Sequence, residues 1–173
     1  MSRRAAVWRV VLGVVIAGFA GFWIWALFFA SKEAVNRFGD REWAARAQTI
    51  CLEADSEREA LADYREVDED DPAMLAERGD LLDRVTDVIE RMLDDVVAVE
   101  PADDKGRAIV PLWEADYRTY LEDRRRFADE LRAGRNDPFR ETALDGIPIS
   151  EKLETFAGDN EMPACAPPHD LAT

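Results

Sequence analysis

The stretch Val10–Ala30 constrains this chain more than any other, because its twenty-one residues include no charge, no proline and nothing more polar than glycine or an indole N–H. As a helix rising about 1.5 Å per residue it covers roughly 30 Å, the thickness of a bilayer's hydrocarbon core. It is the one such run in the sequence, and the chain beyond Ser31 is polar enough for water. The expected division is a short tail and transmembrane signal-anchor over 1–31, then one water-facing domain over 32–173. A cleaved signal peptide is the alternative. Signal peptides carry apolar cores of about 7–15 residues ending on small residues at −3 and −1. Here the run is longer, and cleavage after Ala30 would place Phe28 at −3. Trp8, at the edge of the span, suits the headgroup region.

The flanks set the orientation. Arg3, Arg4 and Arg9 stand unopposed before the span, whereas Lys32, Arg37, Arg41 and Arg46 behind it are mixed with acids. A bare Lys/Arg count does not decide the matter, but the density of the tail favours a cytoplasmic N-terminus and an extracytoplasmic domain at the cell membrane. Residues 1–31 hold three of the 22 basic residues and none of the 37 acids, so 32–173 carries a net charge of −18. Nucleic acid and anionic headgroups repel such a domain. No nucleic-acid partner is expected, and lipid contact is expected only through the N-terminal helix.

From Asp40 onward, apolar residues recur at three- and four-residue steps, the mark of helices that bury one stripe. Trp43, Ala47, Ile50, Ala54, Leu61 and Tyr64, with Cys51 beside them, form the first series, capped by Asp40 and running to about Val67. Asp71-Pro72 opens a second helix, with Leu75, Leu82, Val85, Ile89, Met92 and Val96 on its buried side. Pro101 and the polar stretch through Gly106 break the chain. A third helix buries Val110, Trp113, Tyr117, Tyr120, Phe127 and Leu131, with Pro111 expected in its first turn and Gly134 as its stop. Residues 135–149 read as a short extended piece or loop, and Ser150 as the cap of a short helix over Glu151–Asn160. The expected fold is all-α: an N-terminal transmembrane helix, then an antiparallel three- to four-helix bundle with an irregular C-terminal tail.

The two cysteines, Cys51 and Cys165, lie far apart and outside any Cys-x-x-Cys pair, which excludes a thioredoxin-like site. A tail with three prolines needs a fastener, and a Cys51–Cys165 disulfide would provide one. Closing a loop of roughly 100 residues contributes about 4–5 kcal/mol in the chain-entropy model. The alternative is a core Cys51 and a free Cys165 thiol. Disulfides persist outside the cytoplasm, so the bond and the orientation support each other.

Chemistry-bearing motifs are sparse, and no catalytic, cofactor or metal residue stands out. His169 is the single histidine and falls in the tail. Asp68–Asp71 lacks the glycine and distal glutamate of an EF-hand loop. Arg124-Arg125-Arg126 sits among acids and reads as salt-bridged surface, with a phosphate or partner patch as the minority alternative. Gly13, Ala17 and Gly21, at four-residue steps, would let two membrane helices approach closely, so a homodimer is one expected partner state. Trp113, Tyr117 and Tyr120 read as core before binding surface.

The segments Trp43–Cys51, Glu57–Leu61 and Phe156–Pro168 resemble parts of actinobacterial single-pass membrane proteins of unknown function. The resemblance spans about half the chain. It implies a two-cysteine helical extracytoplasmic domain and pairs the two cysteine segments, but it brings no activity and no functional residue. The expectation is a non-enzymatic anchored domain that binds another envelope or membrane protein. A small-molecule or cation sensor signalling through a partner is the alternative.

Overall fold

The computed structural model describes residues 3–28, 34–63 and 71–171. The chain divides into two units, Met1–Ala34 and Val35–Thr173. The first holds helix α1, Arg3–Phe28, in which Val7–Leu27 has a mean hydropathy of 2.3 and is long and apolar enough to cross a membrane. Apolar side chains point out all round it, as the composition of the run dictates. Phe29, Ala30 and Ser31, where the expected span ends, lie outside the described residues.

The second unit is mostly helical. It contains α2 (Arg41–Leu61), α3 (Pro72–Val97), α4 (Asp104–Arg132) and α5 (Ile149–Asp159). A two-stranded antiparallel hairpin, β1 (Ala143–Leu144) with β2 (Ile147–Pro148), precedes α5, and a 3-10 turn, Pro163–Cys165, comes after it. Helix α3 packs on α2 and α4, α5 packs on α4, and the 3-10 turn packs on α2 and α5.

The predicted stripes of α3 and α4 are buried throughout. On α2 the buried line runs Trp43, Ala44, Ala47, Cys51 and Ala54, so Cys51 is central and Ile50 is only half-buried. Three alanines on that line allow close approach. Tyr64 and the expected end of the helix near Val67 lie outside the described residues; the described helix ends at Leu61.

Two helix starts differ from expectation. Helix α4 begins at Asp104, so Pro111 is inside it rather than in its first turn. Gly106 is not a breaker. It is a buried helical residue, where a Cβ would sit 2.6 Å from Pro101 Cβ and 2.9 Å from Asp103 Oδ2. The close approach of Pro101 requires the glycine, and the Asp103 cap starts the helix ahead of Pro111. Helix α5 begins at Ile149 with Pro148 as its N-cap, so Ser150 is not the cap. Glu141 acts there instead, accepting the backbone N–H and the hydroxyl of Ser150, both at 2.8 Å.

The N-termini of α2 and α4 are locked together by a reciprocal pair of caps. Asp40 accepts the N–H of Trp43 at the start of its own helix (2.9 Å) and that of Ala102 ahead of the other (2.8 Å). Asp103 accepts the N–H of Gly106 (3.0 Å) and, in return, that of Asp40 (3.0 Å). Each carboxylate therefore serves two segments that are distant in sequence. Backbone donors at Ala102 and Trp43 hold the Asp40 pKa below the ordinary 3.8, despite the neighbouring charge of Asp103. Burial works against the Asp103 charge, but the donors at Gly106 and Asp40 overcome it and its pKa is also lowered.

The α3–α4 seam is stitched by arginines at seven-residue spacing on α4. Arg118 pairs with Asp94, Arg125 with Asp87 and Glu90, and Arg132 with Asp80 and Asp83, so partners descend along α3 as the arginines ascend. These pairs are partly exposed and individually worth little. Closer in, a Cβ at Gly79 would stand 2.7 Å from the Ala128 carbonyl oxygen, so the glycine sets the helix spacing.

The capping pair generates the first prediction. Asp40→Ala and Asp103→Ala should each lower the urea midpoint of the detergent-solubilised chain. The double variant should cost less than the sum, because each cap holds the other's segment. Both folded-state pKa values lie below the unfolded value, so the carboxylates' contribution is fully present above about pH 4 and is lost as the pH falls through the lowered values. Equal acid sensitivity of the wild type and the Asp40→Asn variant would contradict this assignment.

Candidate functional site

Beyond α5, the chain doubles back over the helices in a segment that contains most of the molecule's unusual polar chemistry. The reversal is made at Asn160 and Glu161, the latter at φ 62°. Asn160 is fully buried. Its side-chain oxygen accepts the N–H of Phe38 (3.1 Å), and its amide donates to the carbonyls of Asn36 (3.0 Å) and Phe156 (2.9 Å). One side chain thus ties the stretch leading into α2 to the end of α5. Next, the N–H of Ala164 donates to Gln48 Oε1 at 3.0 Å. Cys165 then joins Cys51, with Cα atoms 5.2 Å apart and a sequence separation of 114. The expected disulfide is present, and neither cysteine is free. The tail is less irregular than expected, since Pro163–Cys165 forms a 3-10 turn and Met162 is buried beside it.

Further on, the segment meets a buried arginine. Arg124 is 0% exposed, unlike its neighbours Arg125 and Arg126, which lie on the surface as the sequence predicts. Its Nε donates to Thr86 Oγ1 on α3 (3.1 Å), and one terminal nitrogen donates to the Tyr120 hydroxyl (3.4 Å). Both terminal nitrogens reach the Asp170 carboxylate, at 2.7 and 2.9 Å. The Tyr120 hydroxyl donates to the carbonyl of Pro168 at 3.3 Å. Burial disfavours the guanidinium charge, but Asp170 and Tyr120 outweigh it and the Arg124 pKa lies above its ordinary value. Burial raises the Tyr120 pKa, an effect that Arg124 only partly offsets. The pair is buried on one side only, since Arg124 is enclosed while the Asp170 side chain is 33% exposed, and removing Asp170 would strand the desolvated guanidinium.

The sequence signal for Arg124 was available. It falls four residues after Tyr120 and three before Phe127, on the apolar stripe itself. Its neighbour Asp123, also buried, accepts the N–H (2.5 Å) and hydroxyl (3.1 Å) of Thr142 and so seats the hairpin on α4.

Asp170 also lines a cavity of about 380 Å³ between the end of α2 and the start of α3. Its apolar wall is Leu61, Met74, Leu81, Leu82, Val85 and Leu171, and charged residues including Arg58, Arg78 and Glu59 stand around it. A volume of this order is in the range of small-molecule sites. A second groove of about 350 Å³ lies between α4, β2 and α5, where Trp113 stacks on Phe156 with ring centroids 5.4 Å apart. Leu112, 65% exposed, and Ile147, 44% exposed, stand at that groove.

The remaining sequence candidates fall elsewhere. Trp113, Tyr117 and Tyr120 are buried core, and burial raises the Tyr117 pKa. His169 is exposed. Asp71 caps α3 through the N–H groups of Ala73 and Met74, while Asp68, Glu69 and Asp70 lie outside the described residues. Gly13, Ala17 and Gly21 are exposed along α1, and a Cβ at either glycine would meet nothing within 4 Å. Among the described residues, no three His, Cys, Asp or Glu side chains gather in a set able to hold a metal ion. Compared with known protein families, curated proteins and solved structures, the chain matches none.

Cys51→Ser and Cys165→Ser should lower the melting temperature by the same amount, corresponding to at most about 4–5 kcal/mol. The double variant should be no worse than either single one, since all three lack the same bond. Limited proteolysis should cut within 160–171 sooner in each. Unequal losses would mean that one cysteine contributes chiefly by packing.

Proposed function

We propose that the chain is a single-pass membrane protein with a cytoplasmic N-terminus, whose residues 32–173 form an antiparallel three- to four-helix bundle outside the cytoplasm. The descending arginine–acid pairs along α3 and α4 and the paired N-termini of α2 and α4 support the up-down-up course. The disulfide supports the compartment. The resemblance to actinobacterial single-pass proteins stands with this proposal. A reporter active only outside the cytoplasm should be active when fused after Thr173, and activity of a cytoplasmic reporter there instead would overturn the topology.

Within that frame, the domain acts as a non-enzymatic binding module for another envelope or membrane protein. One observation carries this reading: Leu112 and Ile147 lie exposed beside the α4–α5 groove on a strongly acidic domain. A net charge of −18 over 32–173 favours a partner with a basic face. Pairing of α1 through Gly13, Ala17 and Gly21 would present two such grooves. A protein recovered with the wild type in mild detergent should be lost, at least tenfold, with Leu112→Glu or Ile147→Glu. Recovery unchanged by both substitutions would refute the groove as the contact.

The cavity lined by Asp170 favours a second reading, a sensor that binds a small molecule and signals through a partner. A thermal shift with a soluble metabolite or cation supports it, and no shift across a broad screen counts against it.

A further inference from the structure

We infer that the cavity between α2 and α3 binds a monocarboxylate with an apolar body, whose carboxylate replaces that of Asp170 on the buried Arg124. This inference rests on the reading of that cavity as a ligand site and names the ligand class.

The chemistry begins with Arg124. A guanidinium that is 0% exposed needs an anion, and no acid of α3 or α4 supplies it. Thr86 and Tyr120 take one side of the fork and fix its plane, leaving both terminal nitrogens directed at a carboxylate in bidentate geometry. That carboxylate belongs to Asp170, in a stretch without helix or strand, five residues beyond the disulfide. Cys165 stays anchored when Asp170 leaves, so exchange requires movement of only a few residues.

The occupant itself describes the ligand. Asp170 places a carboxylate on Arg124 with its side chain 33% exposed, and Leu171 places an apolar side chain against the Leu75, Leu82 and Phe127 cluster. Both residues line the cavity, whose wall continues through Leu61, Leu81 and Val85. A free acid with an alkyl or aryl body reproduces both contacts and extends into space the tail leaves open. Arg58 and Arg78 line the cavity alongside its acids, so its rim is mixed in charge, and the ligand class is set by the single bidentate fork of Arg124 beside an apolar wall.

The test uses the full chain in zwitterionic nanodiscs, with octanoate and 1-octanol as probes and empty nanodiscs subtracted. Octanoate should bind and raise hydrogen exchange at His169, Asp170 and Leu171, as the tail is displaced. Asp170→Asn removes the internal competitor and should tighten octanoate binding at least tenfold, because apparent affinity falls by the fraction of time Arg124 is left open. Because that variant strands a buried charge, Arg124→Gln with Asp170→Asn is made in parallel; this neutral pair should fold and lose octanoate binding. Octanol binding as tight as octanoate, with exchange unchanged, overturns the inference and leaves the cavity a ligand site. Octanoate binding retained by the neutral pair also overturns it. No binding of either probe to any variant overturns the inference and the cavity reading together.

Discussion

The bond between Cys51 and Cys165 determines how the rest of the second unit closes. It joins the buried face of α2 to a segment that has only one 3-10 turn of its own, across a sequence separation of 114. Short irregular segments rarely repay their own ordering entropy. Here the covalent link brings that segment near its partners, and weaker contacts become effectively intramolecular. Gln48, Tyr120 and Arg124 then each bind one point along it. Asn160 does the same at the upstream end, where it holds the chain entering α2.

Charge is arranged in two regimes. On the surface, an excess of acid is partly neutralised by arginines that cross from α4 to α3, where solvent screens each pair. Beneath the tail, the buried guanidinium of Arg124 is met by the partly exposed Asp170 carboxylate, and desolvation of the arginine makes this pair matter more than the surface ones. The reciprocal caps of Asp40 and Asp103 lie between these regimes. Two like charges tolerate each other because four backbone N–H groups and two helix N-termini face them.

Much of the helical content was legible because α3 and α4 bury one stripe each, and Leu75 to Val96 and Val110 to Leu131 mark those stripes without ambiguity. Asp40 and Asp71 were legible as caps from their position ahead of an apolar series. What misled was context-dependent. Gly106 looks like a breaker until Pro101 is seen against it, and Ser150 looks like a cap until Glu141 takes both its donors. Arg124 was hidden by its company, since a run of three arginines beside acids reads as surface while its register places the first one inside. The long-range pairings of Asn160 and Asp170 leave no trace in local periodicity. The two-cysteine count and a proline-rich tail in need of a fastener pointed to contact between the ends of this unit.

The C-terminal segment is part of the core, fastened covalently to α2, and the architecture of the second unit rests on that bond. Peptide mapping without reduction tests it most directly, on protein extracted from membranes with free thiols alkylated at lysis. One linked species containing Cys51 and Cys165 is predicted, with neither cysteine alkylated. Both cysteines recovered alkylated in separate peptides would contradict the covalent closure and the proposed extracytoplasmic placement that leans on it.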